Sequence, residues 1–133
     1  MRLPLVLGPG LWYAGAAAAL SQLFEAAKAG KPYRLQFHDE EIDLIHASDV
    51  GSAVLSVLQH AGKLDSIYNL AGFKARASDL IAEIKRQKPG TLVEMETIRP
   101  HLLFPLISGA RLAHDVGLKE PLDLHAFTQA MLA

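Results

Sequence analysis

The residues that could do chemistry in this chain are few, and their spacing decides what they can do. Gly8-Pro9-Gly10 is a glycine-rich turn that follows an apolar run. A dinucleotide site needs G-x-G-x-x-G between strand and helix, so that backbone amides can approach a pyrophosphate. Tyr13 stands where the third glycine belongs and Pro9 separates the first two, so a plain turn is the simpler reading. The two Gly-Lys pairs do not form phosphate loops, because Glu25 and Val57 occupy the first-glycine positions. A tyrosine can act as general acid or base when a lysine four residues later lowers its phenol pKa. The three tyrosines, Tyr13, Tyr33 and Tyr68, are followed at that offset by Ala17, Phe37 and Gly72. The motifs G-x-S-x-G and H-E-x-x-H do not occur. Among six histidines, only His38 with Asp39 and Glu41 resembles a metal-binding cluster. Adjacent turn residues rarely converge on one ion, so a solvated acidic loop is the better reading.

Composition narrows the classes further. The chain has 133 residues, half of them hydrophobic, which fits one domain with a real core. The formal net charge is -1 and no basic stripe exists, so nucleic-acid binding has no electrostatic support. There is no cysteine, which removes disulfides and thiolate chemistry and is compatible with a cytoplasmic protein. The apolar stretch from Leu11 to Leu20 contains Gly15 and is too short to span a bilayer, so no membrane partner is expected.

The elements that would position these residues follow from periodicity. Leu3–Leu7 reads as a buried strand, and Leu11–Ala29 as a helix burying Leu20, Leu23, Phe24 and Ala27. Gly30 suits a left-handed helix cap, and Pro32 prevents continuation. Tyr33–Phe37 alternates as a half-exposed strand, and Ile42–His46 is a second short one. Ser48 or Asp49 caps a helix to His60 with Val50, Ala53, Val54, Val57, Leu58 and Ala61 on one face. Ser66–Ala71 reads as a strand, and Ser78 caps a helix with Leu80, Ile81 and Ile84 inward. Leu92–Ile98 is a strand, Gly109–Val116 a short helix, and Leu122–Leu132 a last amphipathic helix. The expected architecture is a single mixed α/β region over residues 1–133.

Five segments in order carry a family resemblance. Arg2-Leu-Pro-Leu-Val-Leu-Gly-Pro-Gly10 resembles the strand and loop "R-x-x-x-V-Y-G-P-G", with Leu7 for the usual Tyr. Ile42-Asp-Leu-Ile-His-Ala-Ser-Asp49 resembles "R-D-Y-I-H-V-x-D", and Ile67-Tyr-Asn-Leu-Ala-Gly72 resembles "Y-N-L-G-x-G". Arg99-Pro100 resembles the late "R-P-G-D", and Ala110 to Pro121 resembles "S-K-A-x-x-x-L-G-W-x-P". Together they are similar to the C-terminal part of extended short-chain dehydrogenase/reductases, the NAD-dependent epimerase/dehydratase family.

The resemblance implies a two-part enzyme. A Rossmann domain preceding this region would carry the glycine fingerprint and the Tyr/Lys pair, and would bind NAD or NADP. This chain would supply the substrate-binding part, with strands near 3–7 and 66–71 completing the Rossmann sheet. It would orient a sugar or nucleotide sugar against the nicotinamide, and by itself it is expected to bind no dinucleotide tightly and to turn nothing over. By resemblance, Gly8, Pro9 and Gly10 edge the substrate cleft and Arg99 reaches a diphosphate. A solvated strand end is the equal alternative for Arg99. Trp12 and Tyr13 are candidates to line the cleft, with core packing as the alternative. The other diphosphate Arg of the family is replaced by Ile42. That favours a reductase of a non-nucleotide sugar acid or similar substrate as a second reading. A third is a self-associating binding module, a homodimer built on Leu3–Leu7. His46 reads as support for the strand-to-helix turn, Asp49 as a helix cap, and Asn69 as a side chain bonding local backbone.

Overall fold

The computed structural model describes all residues, Met1–Ala133. Five strands and five helices alternate in the expected order: β1 (Leu5–Leu7), α1 (Gly15–Ala29), β2 (Tyr33–Phe37), β3 (Ile42–His46), α2 (Ala47–Gln59), β4 (Phe73–Ala75), α3 (Ala77–Gln87), β5 (Val93–Thr97), α4 (Ala110–Val116) and α5 (Leu124–Leu132). One sheet has the order β1-β3-β4, with β1 parallel and β4 antiparallel to β3. The other is the parallel pair β2-β5, in register from Tyr33↔Val93 to Phe37↔Thr97.

Burial explains why these elements form. Leu20, Leu23, Phe24 and Ala27 of α1 are fully buried, one face at helical spacing. They join Leu35 and Phe37 of β2, Leu80 and Ile84 of α3, and Phe127 of α5 in the main core. Every residue of β3 is buried, so this strand is the spine on which the sheet rests. A smaller cluster, Ile45, Ala53, Tyr68, Leu70 and Leu112, lies between α2, α4 and the segment before Gly72. Gly30 ends α1 at φ 65, as its sequence position predicts.

Several boundaries move, each for a physical reason. The first strand shortens to Leu5–Leu7; Pro4 has no N–H for a ladder, and Arg2 makes an isolated parallel bridge to Asn69. That bridge is all that Ser66–Ala71 forms, and the strand comes after Gly72 instead, at Phe73–Ala75. Helix α1 starts at Gly15 because Gly10 turns at φ 76 and Ala14 is extended. The N-cap of α2 is His46, whose Nδ1 accepts the Ser48 N–H at 3.2 Å; neither Ser48 nor Asp49 is the cap. Only Ala53 of the expected α2 face is buried, while Val54 and Leu58 are exposed. Ser78 is not the cap of α3; Arg76 is, and Asp79 accepts its N–H at 2.8 Å. Asp39 is not merely solvated. It reaches across to accept both the Ser78 N–H and hydroxyl, each at 3.0 Å.

Candidate functional site

Several depressions mark the surface, and one brings an arginine, two histidines and a helix start together. A cleft of about 610 Å³ opens where the start of α1, the end of β2 and the segment after β5 meet. Arg99 and His101 come from the last of these, Gln36 and His38 from the second. Arg99 is exposed and joins none of the ion pairs of the molecule. No carboxylate lines the cleft.

The first turn of α1 forms another wall, through Ala14 to Ala17. No side chain caps this helix and its first turn holds no acidic residue. Its leading amides therefore keep the partial positive charge of a helix start facing the cleft. His38 is 7% exposed, and its Nδ1 accepts the Glu40 N–H at 3.1 Å. In the neutral ring this leaves the proton on Nε2, a buried donor without a partner. His38 and Asp39 diverge, one lining the cleft and the other bonding Ser78 in the first turn of α3. No group of three His, Asp or Glu side chains converges as metal ligands would.

Gly10, Trp12 and Tyr13 lie in a separate, shallower depression of about 440 Å³, bordered by Ala18, Ser21 and Gln22 of α1. Trp12 is fully exposed and not part of the core. Tyr13 closes the turn on itself: its hydroxyl accepts the Gly8 N–H and donates to the Gly8 carbonyl at 2.6 Å. Burial raises the Tyr13 phenol pKa above its ordinary value, against the lowering effect of the Gly8 bond. A Cβ on Gly8 would lie 2.6 Å from the Ala47 Cβ, so Gly8 packs on the start of α2. This arrangement does not suit a dinucleotide. The Gly8 amide is already used, its open side is filled by Ala47, and α1 begins seven residues further on. The residues present do not form a pyrophosphate cradle.

The secondary candidates hold the frame. His46 Nδ1 lies 2.7 Å from Ser48 Oγ, and the ring packs edge-on against Phe127. Asp49 accepts the Leu122 N–H at 3.0 Å, tying the start of α2 to the approach to α5. Asn69 makes no side-chain hydrogen bond; instead the backbone around it pairs with Arg2, through Arg2 N–H to Tyr68 O and Leu70 N–H to Arg2 O. A residue that sequence reasoning passed over is Asp43, 3% exposed in β3. It accepts the Gly72 N–H at 2.8 Å and faces Lys74 Nζ at 3.5 Å. Lys74 also donates to the Ile107 carbonyl, so it anchors the segment that leads away from the cleft. The signal was present as a lone carboxylate in an apolar run. Ile42 is 1% exposed and belongs to the main core, with no access to the cleft.

Comparison with protein-family models finds no match, and neither does comparison with curated proteins. Solved structures do match. A GalE-like L-threonine dehydrogenase from Cupriavidus necator superposes with a TM-score of 0.80 at 22% identity, over 98% of this chain and 50% of that one. UDP-glucuronic acid 4-epimerase from Bacillus cereus, in complex with UDP-glucuronic acid and NAD, gives 0.75 at 16%, over 98% and 42%. RMD from Pseudomonas aeruginosa, complexed with NADPH, gives 0.74 at 25%, over 98% and 46%. The chain thus has the fold of the C-terminal part of extended short-chain dehydrogenase/reductases, and it spans half or less of the length of these neighbours.

Proposed function

We propose that this chain is the substrate-side part of an NAD- or NADP-dependent dehydrogenase, epimerase or dehydratase, and that the cleft at Arg99 receives the anionic end of the substrate. The observation that carries this is the charge pattern of the cleft. A free guanidinium and an uncapped helix start face one space that no carboxylate lines, and the wall behind it holds the orphaned imidazole donor of His38. Each favours a negative oxygen, and a low-dielectric wall strengthens all three.

The work of this chain is positioning. Holding the substrate at one end fixes the reacting carbon against a nicotinamide supplied from another part of the parent, which lowers the entropy cost of hydride transfer. No proton transfer is assigned to these residues. The sequence has no Tyr/Lys pair, and the Gly8 turn does not fit a dinucleotide. The second reading, a non-nucleotide substrate, is favoured by Ile42, because the position resembling the second diphosphate arginine is locked inside the core.

The test is an amide-resolved NMR titration of the purified chain with glucuronate and with UDP-glucuronic acid. Expected are shifts at Ala14–Ala17 and around Arg99 that vanish in Arg99→Gln, with no NADH formed when NAD is added. Anion-induced shifts confined to other regions, or turnover by the chain alone, would overturn the proposal.

A further inference from the structure

The lining of the cleft is otherwise largely apolar. Nine of the fifteen residues lining it are hydrophobic. Leu5 and Phe37 form part of it, with Ile98 and Phe104 contributed by the segment that carries Arg99. Ala16 and Ala17 leave open space where larger helix residues would fill it. Leu102, 66% exposed, extends this apolar surface outward at the rim.

A sugar ring is poorly served here. Its hydroxyls need donors and acceptors spread around the ring, and each one desolvated without a partner opposes binding. The polar side chains available are Gln36, His38, Arg99 and His101, and Gln36 is already bonded to Glu96 at 3.0 Å. A nucleoside diphosphate is served no better, since Arg99 is the one arginine or lysine that lines the cleft. An apolar body fits instead, because each CH₂ that it buries leaves water for the apolar lining.

Resting on the reading of this cleft as the substrate site, we propose that its ligand is an amphipathic monoanion: one carboxylate or comparable anionic head on an aliphatic or aryl body. The head lies between Arg99, the His38 Nε2–H and the amides opening α1. The body lies along Phe37, Ile98 and Phe104. The space, about 610 Å³, matches sites that enclose one small molecule. His38 Nε2 is shielded from solvent in the unliganded chain, so it meets the head only after a side-chain adjustment at the cleft wall.

Calorimetric titration of the purified chain with octanoate, 1-octanol, glucuronate and UDP-glucuronic acid tests this. Octanoate is expected to bind about 10-fold or more tightly than either octanol or glucuronate, about the effect of one charge-assisted contact. Arg99→Gln, at an exposed position, should erase the advantage over octanol, and Ala17→Met should weaken octanoate and octanol together. Far-ultraviolet circular dichroism melts of both variants confirm that they fold. Glucuronate or UDP-glucuronic acid binding as tightly as octanoate, or more so, overturns the amphipathic ligand and leaves the cleft as an anion site. Failure of every anion to bind, or binding indifferent to Arg99→Gln, overturns the cleft itself.

Discussion

Gly72 shows how tightly single positions constrain this fold. A Cβ there would sit 1.7 Å from the Leu44 carbonyl oxygen and 2.5 Å from its carbon. These are backbone atoms of the fully buried strand β3, which cannot yield as a flexible side chain would. The Gly72 N–H is meanwhile held by the Asp43 carboxylate. Gly72→Ala is therefore expected to cost about 3 kcal/mol, the top of the ordinary range for one substitution. Urea denaturation checks it, and a midpoint like that of the unaltered chain would refute the close-approach argument. Legibility at this scale was uneven. Gly72 closes a recognisable motif, but the oxygen it must avoid lies far away in sequence. Arg99 was singled out by resemblance, whereas His38 looked like part of a solvated loop because its partners are set by tertiary folding.

Among the elements, helices were more readable than strands. The face of α1 repeats at helical spacing within one segment, so Leu20, Leu23, Phe24 and Ala27 could be assigned without knowing their partners. A strand is defined by its neighbour. Ser66–Ala71 has strand-like residues but only Arg2 beside it, while Phe73–Ala75 lies against β3. Placing the start of α1 at Leu11 also hid the uncapped helix end that makes the cleft positive. The contact between α3 and α5 carries its own prediction. Glu83 receives Arg86 and Gln87 from its own helix and His125 from α5. These bonds, led by Arg86, lower its pKa from 4.5 to about 2. A depressed carboxylate contributes stability above its unfolded value and loses it as protons bind. Thermal melts should show a loss of stability between pH 4.5 and about 2 that Glu83→Gln flattens. An unchanged acid limb would show that the cluster does not hold the two helices together.

For the whole molecule, the two hydrophobic clusters differ greatly in size. Sixteen buried residues join α1, α3, α5 and the sheets, whereas five join α2 and α4 to the segment before Gly72. Local opening follows the apolar contacts that must be broken. Hydrogen exchange should therefore release the amides of α4 well before those of α1 and α3; uniform protection would indicate one cooperative unit. No helix is long and apolar enough to cross a membrane. The buried Ile42 has a bearing on how such a chain can diversify. A guanidinium at that position would lie unpaired in the main core, at a cost of several kcal/mol. That is comparable to the whole margin separating a small domain from its unfolded chain. Side-chain charge and foldability are thus coupled at this residue. A lineage carrying Ile42 would have to rebuild the surrounding core before it could place a charged side chain there, so this residue acts as a ratchet on the chemistry open to its descendants.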